Sequence, residues 1–200
     1  MDSRYKYLIK NTGILTISSF STKILTFLMV PLYTSVLTTE EYGTYDLAVS
    51  TVSLLIPILS VNIVDGVMRY SMDSRYDRAD IFSIGLRRIS VAAFIFAAIL
   101  AANSVFHITN VFAGEELLIL LYFISTLLYS LLTQFAKGCE AVKQMAIAGI
   151  ISTVCLVGTN ILLLLVFELG VTGFFIASCA SQLIPAIYLA VRLEIWSYTH

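Results

Sequence analysis

The sequence predicts an all-α membrane protein of six transmembrane helices, and three observations carry that expectation. Hydrophobic residues make up 58% of the 200-residue chain and charged residues only 12%, with a mean hydropathy of +0.90. That is more apolar surface than a soluble domain of this size can hide. Six apolar stretches are long enough to cross the roughly 30 Å hydrocarbon core as helices, which takes about 20 residues: about 12–37, 45–66, 89–108, 117–136, 145–167 and 171–192. Finally, of 12 Lys and Arg residues, all but Lys23 fall in alternate connections between these stretches.

That alternation sets the expected orientation. Arg4, Lys6 and Lys10 precede the first span, and Arg69, Arg75, Arg78, Arg87 and Arg88 lie between the second and third. Lys137 and Lys143 separate the fourth and fifth, and Arg192 closes the sixth; the three other connections contain no Lys or Arg. Cations in short loops mark the cytoplasmic side, and Asp and Glu contribute little to the rule. The N-terminus and the C-terminus are therefore both expected in the cytoplasm. The first span is too long for a cleaved signal peptide and should stay as an anchor.

Each connection has its own signal. Thr38-Thr39-Glu40-Glu41 reads as a capping box opening the second helix. Gly114, and Gly170 with Gly173, mark short outer turns. The long connection from Val67 to Arg88 carries Asp73, Asp77 and Asp80 among its arginines, and Ile81, Phe82, Ile84 and Leu86 give its second half an apolar side. An extension of the third helix is expected there rather than a separate domain. Cys139, Cys155 and Cys179 show no disulfide or CxxC spacing, and His107 and His200 stand alone, so no metal site and no cofactor is expected.

Polar side chains are arranged in stripes. On the first span Thr12, Thr16, Ser19, Thr26 and Thr34 recur at helical spacing with Lys23, which lies about eleven residues from the basic end. A charge near the bilayer centre costs about 2.5–3.5 kcal/mol on insertion scales, so it faces a bundle interior or a watery cavity. A snorkelling or internally paired structural lysine is the bland alternative. The second span carries Asp46, Ser50, Ser53, Pro57 and Ser60 along one side. Near its end Asn62, Asp65 and Arg69 share a face, with Asp65 and Arg69 placed for an i, i+4 pair. The fourth span aligns Tyr122, Ser125, Tyr129 and Thr133, continuing toward Lys137. Together with Gly149, Thr153 and Asn160 on the fifth span and Ser178, Ser181, Gln182 and Pro185 on the sixth, these positions read more simply as helix-packing faces than as substrate contacts. Pro31, Pro57 and Pro185 mark bending points.

These residues carry a family resemblance. Ser18-Ser19-Phe20-Ser21-Thr22-Lys23, Val30-Pro31-Leu32-Tyr33-Thr34 and Leu37-Thr38-Thr39-Glu40-Glu41-Tyr42-Gly43-Thr44-Tyr45-Asp46-Leu47 resemble the opening of Wzx-type bacterial polysaccharide flippases. That family belongs to the superfamily of multidrug, oligosaccharidyl-lipid and polysaccharide exporters. Asp65-Gly66-Val67-Met68-Arg69-Tyr70 resembles the end of its second helix, whereas the remaining four spans match in hydropathy and spacing.

The resemblance implies two six-helix lobes around a central cavity, working by alternating access. Residues 1–200 would be the N-terminal lobe, with a missing C-terminal lobe as partner. It further implies an undecaprenyl-pyrophosphate-linked oligosaccharide as cargo, moved across the bacterial cytoplasmic membrane for O-antigen, capsule or exopolysaccharide assembly, with membrane lipids as the surroundings and no nucleic acid. Lys23 matches the first-helix basic position of such flippases. The substrate-contacting set expected here is Lys23, Ser19, Thr26, Thr16, Asn62, Asp65 and Arg69. A multidrug/cation antiporter would want a mid-membrane carboxylate where this first span has a cation. An enzyme would want more than the few-residue outer loops provide. A structural membrane subunit leaves the buried lysine and the polar stripes unexplained.

Overall fold

The computed structural model describes residues 33–107 and 114–198, together with Phe27, Val30, Pro31 and Phe112. All regular structure among them is helical: α1 (Thr39–Ser60), α2 (Ile63–Ser71), α3 (Arg78–Phe106), α4 (Glu116–Gly138), α5 (Val142–Asn160, continued by a π-helical turn, Ile161–Val166) and α6 (Gly170–Arg192), closed by a 3₁₀ turn at Ile195–Tyr198. Five helices among the described residues are long and apolar enough to cross a membrane. That is one fewer than the six spans expected. The first, 12–37, falls mostly outside the described residues.

The start of α1 follows its capping signal. The Glu41 N–H donates to Thr38 Oγ1 at 3.2 Å and the Thr38 N–H donates to Glu41 Oε2 at 2.8 Å, so two of the otherwise free N–H groups at the helix entrance are satisfied reciprocally. The helix does not run on to residue 66 as the hydropathy suggested. It stops at Ser60, where Val61 (φ 53°) and Asn62 (φ 49°) are both left-handed. The Asn62 N–H reaches back to Pro57 O at 3.0 Å and the Val61 N–H to Ile58 O at 3.3 Å. This is the Schellman pairing, built with valine where glycine is usual. A β-branched residue in this region is strained, on the order of 1–2 kcal/mol. The Asn62 amide reaches forward to Asp65, which ties the break to the first turn of α2.

Only 72–77 remain as loop at the basic end. There Arg75 forks onto Asp73, with Nη2 at 2.6 Å from Oδ2, and this pairing holds the Asp73 carboxyl below its ordinary range. Asp77 caps α3 by accepting from the Ala79 N–H at 2.9 Å. The third helix thus starts eleven residues ahead of position 89, as the apolar side of 81–86 implied: Ile81 and Phe82 are buried, while Ile84 is exposed.

The core lies where α4 is flanked by α3 and α6. Phe82 meets Phe135 with ring centroids 4.8 Å apart, and Phe96 stacks on Phe123 at 4.2 Å, so α3 and α4 run antiparallel in register. Leu127, Leu131, Phe175 and Leu189 are fully enclosed beside them. Two glycines let backbones close in. A Cβ on Gly138 would fall 2.5 Å from Ser71 Cβ and 2.9 Å from Met68 O, and one on Gly85 would fall 2.7 Å from Val67 Cγ2. Small residues at such crossings are how helices gain van der Waals contact where lipid removes the hydrophobic drive. At the opposite end Tyr45 lies on Phe174 with centroids 3.7 Å apart and shares a 3.2 Å hydrogen bond with Ser178. Thr172 there donates to Glu115 at 3.1 Å, which joins the starts of α1, α4 and α6.

Candidate functional site

Near the basic end, the break between α1 and α2 leaves a pocket of about 370 Å³ against α4. Pro57, Ser60, Asn62 and Asp65 form one wall; Tyr129, Ser130, Thr133, Gln134 and Lys137 form the other, and Ile56 and Val64 supply apolar floor. The polar parts of the second and fourth spans, separated by more than sixty residues in sequence, thus meet in one place.

Asp65 is the centre of the polar set. Its carboxylate accepts from Asn62 Nδ2 at 2.8 Å and from Gln134 Nε2 at 2.7 Å. A carboxylate offers only acceptors, so the Gln134 amide must turn its nitrogen toward Asp65 and its oxygen away. That oxygen is buried without a partner, as is Ser60 Oγ, on a residue only 2% exposed. Both residues line the pocket. Buried polar atoms of this kind cost free energy unless something in the pocket bonds them. Lys137, in the last turn of α4, lines the same space, and it makes no ion pair with Asp65, the one such pair among the described residues being Arg75 with Asp73. The site combines free acceptors, a free hydroxyl, a lysine and a tyrosine, a mixture suited to a hydroxyl-rich ligand.

The expected pair between Asp65 and Arg69 does not form. Asp65 is turned to Asn62 and Gln134, while Arg69 is exposed and lies outside the pocket. An i, i+4 spacing permits a surface pair worth only a few tenths of a kcal/mol, which two hydrogen bonds to the carboxylate outweigh. Lys23, Ser19, Thr26 and Thr16, with Thr12 of the same stripe, lie outside the described residues. Thr34 at the far end of that stripe donates to Pro31 O at 3.1 Å. Along α1, Asp46, Ser50 and Ser53 are exposed, an open polar face continuous with the pocket wall.

Other polar positions are structural. Ser125 is 1% exposed and donates to Leu121 O, Thr153 donates to Gly149 O, and Ser181 to Ser178 O. These fit the packing role read from the sequence, whereas Tyr129 and Thr133, given the same reading, line the pocket instead. Gln134 was not singled out in the sequence. Its signal was an amide one residue beyond Thr133 on a face already leading to Lys137. Among the described residues no three His, Cys, Asp or Glu side chains gather as a metal-binding set.

The helices and their polar seam define a multi-pass membrane protein with an open polar pocket near its basic end. The polysaccharide biosynthesis protein family matches residues 8–198, and the chain belongs to that family. Its role lies in polysaccharide biosynthesis or export. None of the curated proteins or solved structures compared with it matches.

Proposed function

We propose that this protein translocates an undecaprenyl-pyrophosphate-linked oligosaccharide from the inner to the outer leaflet of the bacterial cytoplasmic membrane by alternating access, as the N-terminal lobe of a two-lobe flippase. The observation that carries the reading is the polar pocket set among apolar membrane helices, with two buried oxygens awaiting partners. A structural bundle gains nothing from leaving Ser60 Oγ and Gln134 Oε1 unbonded. A transporter needs such atoms to be met only while cargo is present. Sugar hydroxyls both donate and accept, so they can donate to Gln134 Oε1 and Asp65 and accept from Ser60 and Lys137.

The pyrophosphate is assigned to Lys23. At about 4 Å a pair of unit charges gains about 1 kcal/mol in bulk water and about 4 kcal/mol at the effective dielectric near a protein surface. A lysine placed by the sequence pattern within a span would therefore hold a pyrophosphate more strongly than a cation in bulk water. Translocation moves the lipid without making or breaking covalent bonds, so no residue is assigned a catalytic role.

The test is complementation of a flippase-null strain by the two-lobe transporter carrying this lobe, scored by surface polysaccharide with membrane levels checked by immunoblot. Lys23→Ala is expected to abolish export while the protein still inserts, and Lys23→Arg to keep part of it. Wild-type export by the alanine variant returns Lys23 to a structural role and removes the pyrophosphate assignment.

A further inference from the structure

Arg87 and Arg88 read as loop cations in the sequence, yet they sit in the body of α3. The contacts of Phe82 with Phe135 and of Phe96 with Phe123 place them level with Tyr129 and Ser130 of α4. At 1.5 Å per residue that is roughly 10 Å inward of Lys137. The buried side of α3 carries Phe82, Gly85, Ile89 and Ala92; Arg87 stands opposite it and Arg88 on its flank, and both are exposed. There they frame, with Ile84 and Val91, a groove of about 480 Å³. Ile84 is 55% exposed and Val91 47% exposed, and farther from the basic end Phe94 is 76% exposed. No carboxylate among the described residues pairs with either guanidinium.

We propose that Arg87 and Arg88 form a binding site for an anionic glycerophospholipid of the leaflet at the basic end. Two charges without a carboxylate partner among the described residues, set this far along an exposed apolar stripe, favour an anion, and the surrounding bilayer carries one in its phosphates. Guanidinium forks bond phosphate oxygens in pairs, and both residues are arginine. A lipid with net negative charge satisfies two cations, whereas a zwitterionic lipid brings an amine that competes with them. The phosphate rests between the arginines with Ile84 beside it, and an acyl chain runs toward the bilayer centre over Val91 and Phe94. The groove lies on the side of α3 away from the α1–α4 pocket, so the lipid is a resident ligand rather than cargo, and the inference does not depend on glycan transport.

The experiment is native mass spectrometry of the purified full chain released from nanodiscs containing phosphatidylglycerol, cardiolipin or phosphatidylethanolamine with matched acyl chains. Wild type is expected to retain the anionic lipids selectively. Arg87→Gln with Arg88→Gln should weaken that retention by about tenfold or more, Arg87→Lys with Arg88→Lys should weaken it less, and Lys143→Gln with Arg192→Gln, removing the same charge elsewhere at the basic end, should leave it unchanged. Retention by the glutamine pair equal to wild type overturns the site. So does an equal loss in the Lys143 and Arg192 control, which reduces the effect to diffuse charge. Displacement of the lipid by inorganic pyrophosphate at equimolar concentration also overturns it, because the arginines would then read a polyphosphate headgroup.

Discussion

Gly138 shows how much of this bundle rests on single atoms. It ends α4 where α2 passes, and a methyl group there would lie 2.5 Å from Ser71 Cβ and 2.9 Å from a backbone oxygen. The Ser71 Cβ is fixed by its backbone and the carbonyl is backbone itself, so neither can turn aside, and Gly138→Ala is expected to cost about 1–3 kcal/mol, the usual penalty for overpacking. Gly43→Ala on α1, with nothing within 4 Å, should instead stabilise by about 0.5–1 kcal/mol through helix propensity. Thermal unfolding of the two variants in the same detergent separates them, and a Gly138→Ala protein as stable as wild type would show that α2 and α4 are not held at this crossing. The candidate site was legible at this scale only in part. Asn62 and Asp65 were found from their spacing, but the partner of Asp65 was sought on its own helix. Gln134 lies 69 residues away, and one-dimensional periodicity carries no information about which helices touch.

The helices themselves were read well wherever hydropathy and caps agree. The capping box of α1, the early start of α3 and the limits of α4 and α6 follow from residues visible in the chain. The break at Val61–Asn62 does not, because the usual glycine marker is missing and Pro57, four residues earlier, reads as a kink rather than an end. The π-helical turn at Ile161–Val166 is equally silent, being a run of aliphatic residues that any helix would accept. What the elements imply together is an orientation, since Arg75, Arg78, Lys137, Lys143 and Arg192 gather at one end of the bundle. We expect that end to face the cytoplasm. Single cysteines at Thr39, Glu116 and Leu169 in a cysteine-free background should react with an impermeant thiol reagent in intact cells, and single cysteines at Ser74 and Glu140 should not. Labelling of the second pair alone would reverse the orientation.

For the whole molecule, composition decided the fold class and the opening motifs pointed to the family, which the match over residues 8–198 establishes. The pocket between the α1–α2 break and α4 adds what neither could supply, a polar recess among membrane helices where the proposed hydroxyl-rich cargo would sit. The claim that follows is movement of a lipid-linked oligosaccharide between leaflets. Its most direct measurement is the sidedness of that lipid in cells deleted for the gene encoding this chain, read by an impermeant glycan-cleaving enzyme applied to spheroplasts. The account predicts that the lipid-linked oligosaccharide accumulates and is protected from the enzyme until the cells are lysed, and that restoring the gene makes it accessible from outside. Unchanged access to the lipid in the deletion strain, with polysaccharide still assembled at the surface, would contradict it.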